Sequence, residues 1–148
     1  MAGDDHHKHF TGSIAQKAII EKDGKVLLVQ YPSKDPVGEV WDLPGGRFHD
    51  DETPLEGLQR ELREEIGAEV DVEGPLVTGT FDFVNKDGSH SPKLYFVLYR
   101  AHLIDPEQEL VPEEGEIERI SWFDPKEIFE LNLLHREEYR EALKDILV

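Results

Sequence analysis

Glu61, Glu64 and Glu65 recur at spacings of three and four residues, which brings side chains together only on a helix. At 100° per residue their carboxylates fall within about a 100° arc. Leu55, Leu58, Leu62 and Ile66 form the neighbouring apolar arc. Glu65 therefore sits at the border of that arc and Glu64 farther out. Like charges at this spacing destabilise a helix by roughly 0.2–0.5 kcal/mol per pair. Arg60 can relieve Glu64 from the preceding turn, but one arginine cannot neutralise three acids. A hard divalent cation can, and an all-oxygen ligand set favours magnesium, with manganese as the alternative. Taken alone, such a helix also reads as a solvated acidic face on a very acidic protein.

Spacing beyond the helix separates the two readings. Gly46, five residues, Glu52, seven residues, then Arg60-Glu61-Leu62-Arg63-Glu64-Glu65-Ile66-Gly67-Ala68 resembles the Nudix box, G-x5-E-x7-R-E-U-x-E-E-x-G-U with U a bulky aliphatic residue. All seven fixed identities are present. Chance agreement is on the order of one in ten million per starting point at background composition. Ala68, smaller than the usual final aliphatic residue, is the one departure, and it touches packing rather than the acids. Trp41-Asp42-Leu43-Pro44-Gly45-Gly46 resembles the strand and turn that enter such a box. Ser121-Trp122-Phe123 with residues 124–128 resembles the strand and helix near the end of such domains.

The resemblance implies a Nudix hydrolase: an α/β protein, an α/β/α sandwich around a mixed sheet, in which a metal-activated water attacks a diphosphate. By resemblance Glu61, Glu64 and Glu65 coordinate magnesium or manganese, with the carbonyl of Gly46 completing the set. Glu52 and Arg60 hold the loop and helix together through a charged hydrogen bond. The general base is either Glu61 or a glutamate of the later 113–116 loop, where Glu116 is preferred to Glu114. Arg47 and Phe48 are candidate substrate contacts, for a phosphate and a base. Phe81, Phe83 and Tyr95 are aromatic alternatives that more commonly pack in a core. The implied substrate is a small nucleoside diphosphate linked to a further moiety, such as a nucleoside triphosphate or nucleotide sugar. Val84 stands where a proline or tyrosine marks the ADP-ribose or dinucleoside polyphosphate subfamilies. The rival reading is a nucleotide-binding module without turnover, against which the complete acid set speaks. An acidic calcium-binding protein predicts an EF-hand loop, and no such pattern occurs.

Composition agrees. A formal charge of -17 argues against stable nucleic-acid binding, which needs a basic surface. It leaves room for a small polyphosphate if cations mediate the contact. With no cysteine, disulfides and thiolate zinc sites are excluded. No apolar run reaches membrane-span length and the N-terminus lacks the apolar stretch of a signal peptide, so the expected location is cytoplasmic. The family resemblance is compatible with a homodimer, on which the residues themselves are silent.

The elements that must position the acids follow from local pattern. Residues 1–12, with His6, His7 and His9, read as a mobile lead-in, and 13–148 as one domain. Residues 18–20 and 26–29 read as strands joined by an Asp23-Gly24 hairpin turn. Residues 31–39 read as an exposed loop, 40–43 as a strand, and a second loop runs to Pro54. A helix over 55–66 stops at Gly67. Strands follow at 68–72, 76–84 and 93–102, separated by Gly-Pro and Asn-Lys-Asp-Gly turns. An acidic loop over 105–116, a strand over 118–123, a helix opening at Asp124-Pro125 and a helix over 136–147 complete the chain.

Overall fold

The fold is described from a computed structural model, in which residues 9, 12–33, 39–81, 85–89, 93–133 and 136–144 are placed. His6, His7, Phe83, Val84 and the expected end of the last helix lie outside the described residues. The elements are β1 (Gly12–Lys22), β2 (Lys25–Tyr31), β3 (Val40–Asp42), β4 (Gly45–Arg47), α1 (Pro54–Ile66), β5 (Val70–Phe81), β6 (Lys93–Leu103), β7 (Arg119–Phe123), α2 (Pro125–Ile128) and α3 (Arg136–Lys144).

The strands form a mixed sheet in the order β3-β2-β1-β6-β5, with β4 pairing β1 and β7 pairing β2. The β1–β6 pair is parallel and the others antiparallel. Successive side chains of a strand point to opposite faces, and here both faces are buried. Ala18, Ile20, Leu27 and Val29 pack with Leu58, Leu62 and Ile66 of α1. Ile19, Val26 and Leu28 pack with Trp41, Leu43, Leu98, Ile128 of α2 and Leu143 of α3. The result is the expected α/β/α sandwich around a mixed sheet. Each buried leucine or isoleucine of α1 contributes about 2 kcal/mol. That exceeds the few tenths per acid pair that the outer face of the helix costs, so packing carries the helix and its carboxylates together.

Both ends of α1 are fixed by side-chain chemistry. Thr53 caps the N-terminus in a reciprocal box with Glu56, and Pro54 occupies the first turn. At the C-terminus Gly67 adopts φ 67°, and its N–H donates to the Arg63 carbonyl, a left-handed stop that glycine takes without a Cβ penalty.

Four expectations change. Gly74-Pro75 does not turn the chain: β5 runs continuously through it, with register shifts on either side of the pair. Because β5 lies at the end of the strand order, a proline without an N–H is tolerated there and the irregularities absorb the mismatch. Tyr31 belongs to β2, paired with Val40, not to an exposed loop. Gly45–Arg47, expected within a loop, forms β4 against Ala15–Lys17. β1 itself begins at Gly12, the last residue of the expected lead-in, because its parallel pairing with β6 starts there. Among the described residues no helix is long and apolar enough to cross a membrane.

Candidate active site

One cleft of about 300 Å³ is lined by Tyr31, Glu61, Glu64, Glu65, Glu113, Glu116 and Ile117. Five of these seven side chains are carboxylates. Three come from α1 and two from the acidic loop, so two distant segments converge on one surface. Glu65 is buried, 7% exposed, whereas Glu64 projects into solvent and Glu61 lies between them.

Backbone chemistry explains why the loop lies over the helix. The last carbonyls of a helix lack intrahelical partners, and here the loop supplies them. Glu113 N donates to the Glu65 carbonyl at 3.0 Å and Val111 N to the Ile66 carbonyl at 2.9 Å. The Gln108 side-chain amide donates to the Gly67 carbonyl. Past the acids, Glu118 N donates to the Gln30 carbonyl at 2.7 Å and Ile117 is buried, which ties the loop to the sheet.

Behind the cleft lies a buried polar chain. Lys17 pairs with Asp42 at 3.0 Å and also donates to the Gly45 carbonyl at 3.5 Å. Asp42 accepts from Tyr31 Oη at 2.9 Å and from Leu43 N at 2.8 Å. Gly45 N in turn donates to Glu65 Oε2 at 3.2 Å. Gly45 adopts φ 139°, and a Cβ there would lie 2.1 Å from the Gln16 carbonyl oxygen, so only glycine fits between β1 and Glu65. At Gly46 a Cβ would lie 2.7 Å from the Glu61 carboxyl carbon; this backbone and that acid are in direct contact.

Electrostatics follow from burial. Loss of solvent pushes the Glu65 carboxyl up to about 8, opposed by Lys17 and the Gly45 N–H and reinforced by Glu61 and Asp42. Glu113 is raised by partial desolvation and then by Glu64, Glu116 and Glu61. Tyr31 is raised by burial and by Asp42, so it stays a neutral phenol. Arg60 is the counter-charge on the outer side. It donates to Glu52 at 2.6 and 3.1 Å, to Glu61 at 3.2 Å, to Glu64 at 3.1 Å and to the Arg47 carbonyl at 3.2 Å. The hydrogen bond from Arg60, with another from His49 N, holds Glu52 down at about 2.

Among the described residues no three acidic or histidine side chains are gathered tightly enough to coordinate one ion as they stand. The donor set nevertheless suits a hard divalent cation, because carboxylate oxygen dominates the polar lining and one acid is buried with incomplete compensation.

Residues 15–146 match the family model described as NUDIX domain. The chain belongs to the NUDIX family. A Proteus vulgaris protein named 8-oxo-dGTP diphosphatase is 41% identical over 73 residues, 49% of this chain and 65% of that one. The CTP pyrophosphohydrolase of Escherichia coli (strain K12) is 47% identical over 55 residues, 37% of this chain and 41% of that one. Each match therefore spans less than two thirds of the relative. The solution structure of the E. coli ORF135 protein superposes with a TM-score of 0.68 at 27% identity, covering 91% of this chain and 92% of that one.

Within the NUDIX framework, Glu61, Glu64, Glu65 and Glu116 share the cleft, Gly46 abuts Glu61, and Glu52 and Arg60 meet beside it. Arg47 and Phe48 do not line the cleft. The Arg47 side chain is exposed, and Phe48 packs against Gly57, where a Cβ would lie 2.2 Å from Phe48 Cβ. Sequence reasoning missed Tyr31, Lys17 and Asp42, and within the 113–116 loop it singled out Glu116, whereas Glu113 lines the cleft as well. The usable signal for Lys17 and Asp42 was a charge embedded in an apolar strand, Lys17 before Ala18-Ile19-Ile20 and Asp42 between Trp41 and Leu43. The local pattern carries none for Tyr31.

Proposed function

We propose that this NUDIX domain is a divalent-cation-dependent pyrophosphohydrolase acting on a nucleoside diphosphate linked to a further group, nucleoside triphosphates included. The observation that carries the reading is the meeting of Glu61, Glu64 and Glu65 with Glu113 and Glu116 in one cleft. The names of the two similar proteins, a diphosphatase for 8-oxo-dGTP and a pyrophosphohydrolase for CTP, support a nucleotide substrate. The formal charge of -17 weighs against a polynucleotide.

Glu61, Glu64 and Glu65, with the Gly46 carbonyl, are the groups that would hold magnesium or manganese. A bound divalent ion supplies neutralisation of phosphate oxygens and a lowered pKa for water. The chain's own contribution is positioning and proton transfer. Tyr31, neutral and tied to Asp42, and buried Ile117 form the cleft lining beside the acids. A loop carboxylate accepts the proton of the attacking water as its oxygen bonds to phosphorus, while the bridging P–O bond breaks and the departing phosphate takes the electron pair. Glu113 and Glu116 both line the cleft, and Glu113, whose backbone N–H is bonded to the Glu65 carbonyl, is the loop acid we assign to this step.

The test is turnover of a panel of ribo- and deoxyribonucleoside triphosphates and nucleotide sugars. Nucleoside monophosphate is separated chromatographically, with Mg2+ and with EDTA. The proposal expects Mg2+-dependent monophosphate release from at least one member. Folded protein that binds nucleotide but releases none across the panel would instead be a binding module.

A further inference from the structure

We propose that a second hollow, across the acidic loop from the carboxylate cleft, is a metal-independent binding site for a mononucleotide, with Trp122 as the platform for the base and Lys22 and Lys25 as partners of the phosphate. No described residue lines both hollows, so this site stands or falls separately from the metal site.

Sheet geometry sets the place. Lys22 ends β1 and Lys25 opens β2 across the Asp23-Gly24 turn, and Trp122 of β7 pairs with Leu27 of β2. Tyr31 of the cleft lies four positions farther along β2, about 13 Å away at the rise of a strand. The loop divides the two spaces: its Leu110 and Pro112 line this hollow, its Glu113 and Glu116 the cleft. The hollow holds about 420 Å³, a volume that suits a small ligand. Its floor is apolar, with Leu103 buried and Leu110, Ile120 and Trp122 half-buried. Lys22 Nζ lies 5.9 Å from the centroid of the Trp122 ring and donates to the Pro106 carbonyl at 2.6 Å. That bond holds the ammonium beside the ring and uses one of its three protons. A neighbouring hollow of about 300 Å³ shares Lys22 and Trp122 and adds Lys25 and Asp23. Arg119, tied to Gln30 and Glu39, lines the first. Three basic and two acidic side chains therefore surround one indole, on a chain whose formal charge is -17. This reverses the polarity of the cleft, where phosphate can be met only through a cation. An indole offers a face for stacking a base, and an ammonium takes phosphate as a point charge. A bare anion would leave the ring and the apolar floor unused, and an uncharged base would leave the lysines unused. A mononucleotide uses both.

Calorimetric titration of AMP, GMP, CMP, UMP, adenosine and inorganic phosphate into the full chain in EDTA, with tryptophan fluorescence followed in parallel, tests this. The chain has two tryptophans and Trp41 is buried, so quenching reports on Trp122. At least one mononucleotide is expected to bind saturably, with Kd on the order of 0.1 mM, and to quench. Adenosine and inorganic phosphate should each bind at least about fivefold more weakly. Trp122→Leu and Lys22→Met/Lys25→Met should weaken the mononucleotide by at least about fivefold, and Glu64→Gln should not. If Trp122→Leu does not fold, the lysine variant, whose changes lie at the mouth of the hollow, carries the test. The proposal is overturned if no mononucleotide binds in EDTA, if inorganic phosphate binds as tightly as the mononucleotide, or if the lysine variant binds like wild type. Binding lost in Glu64→Gln but kept in the lysine variant would put the ligand in the acidic cleft and equally overturn it. Any of these results alongside Mg2+-dependent turnover would leave the hydrolase reading standing.

Discussion

The backbone N–H of Glu113 donates to the carbonyl of Glu65 at 3.0 Å, so an acid of the loop is registered by the residue at the buried end of the helix's acidic face. A helix C-terminus needs donors, and the loop that provides them delivers Glu113 and Glu116 to the cleft. Loop and helix are thereby one mechanical unit, although 48 positions separate the two residues (113 − 65).

Glu113 and Glu116 should therefore differ in effect. Glu113→Gln is expected to lower kcat by about 100-fold, the range for loss of a general base, with KM changed little. Glu116→Gln should lose less than about tenfold on the same scale. Steady-state kinetics at saturating Mg2+ separates them, and a reversed order would return the role to Glu116.

The two glycines that open β4 make opposite demands. Gly45→Ala places a methyl 2.1 Å from a backbone oxygen at φ 139° and is expected to cost about 3 kcal/mol or more of stability. Gly46→Ala meets instead the movable end of Glu61. It should keep the fold within a few degrees of wild type while weakening the apparent Mg2+ affinity by about tenfold. Tm and the Mg2+ dependence of turnover, measured on both variants, check this pair.

Acid stability should report the Glu52–Arg60 contact. The folded carboxyl of Glu52 sits at about 2 against an ordinary 4.5. A depressed folded value stabilises above the unfolded pKa and is lost as pH falls toward the folded one. Stability from this pair is therefore present above about pH 5 and fades toward about pH 2. Glu52→Gln should flatten the Tm-against-pH curve in that window and leave its shape above pH 6 unchanged. An identical acid limb in the variant would show that the contact contributes nothing.

What the sequence disclosed, and what it withheld, divides along range of interaction. The helix was readable because Pro54, Gly67 and the leucine spacing are local signals, and the acid trio because its geometry is that of one helix. Lys17 and Asp42 were not, because their pairing depends on how β1, β2 and β3 align, which no window of residues specifies. Gly74-Pro75 read as a turn because the same dipeptide is tolerated inside an edge strand, and edge position is a property of the whole sheet. Glu113 and Glu116 looked alike in the chain. Hydrogen bonding of the loop to the end of α1 distinguishes them.

The central claim, that the acids of α1 gather a divalent ion, is tested most directly by titrating Mn2+ into the protein and following free Mn2+ by electron paramagnetic resonance. Wild type should bind Mn2+, Mg2+ should displace it, and Glu64→Gln and Glu65→Gln, each shown to be folded, should bind at least about tenfold more weakly. Equal Mn2+ binding by wild type and both variants would contradict the account.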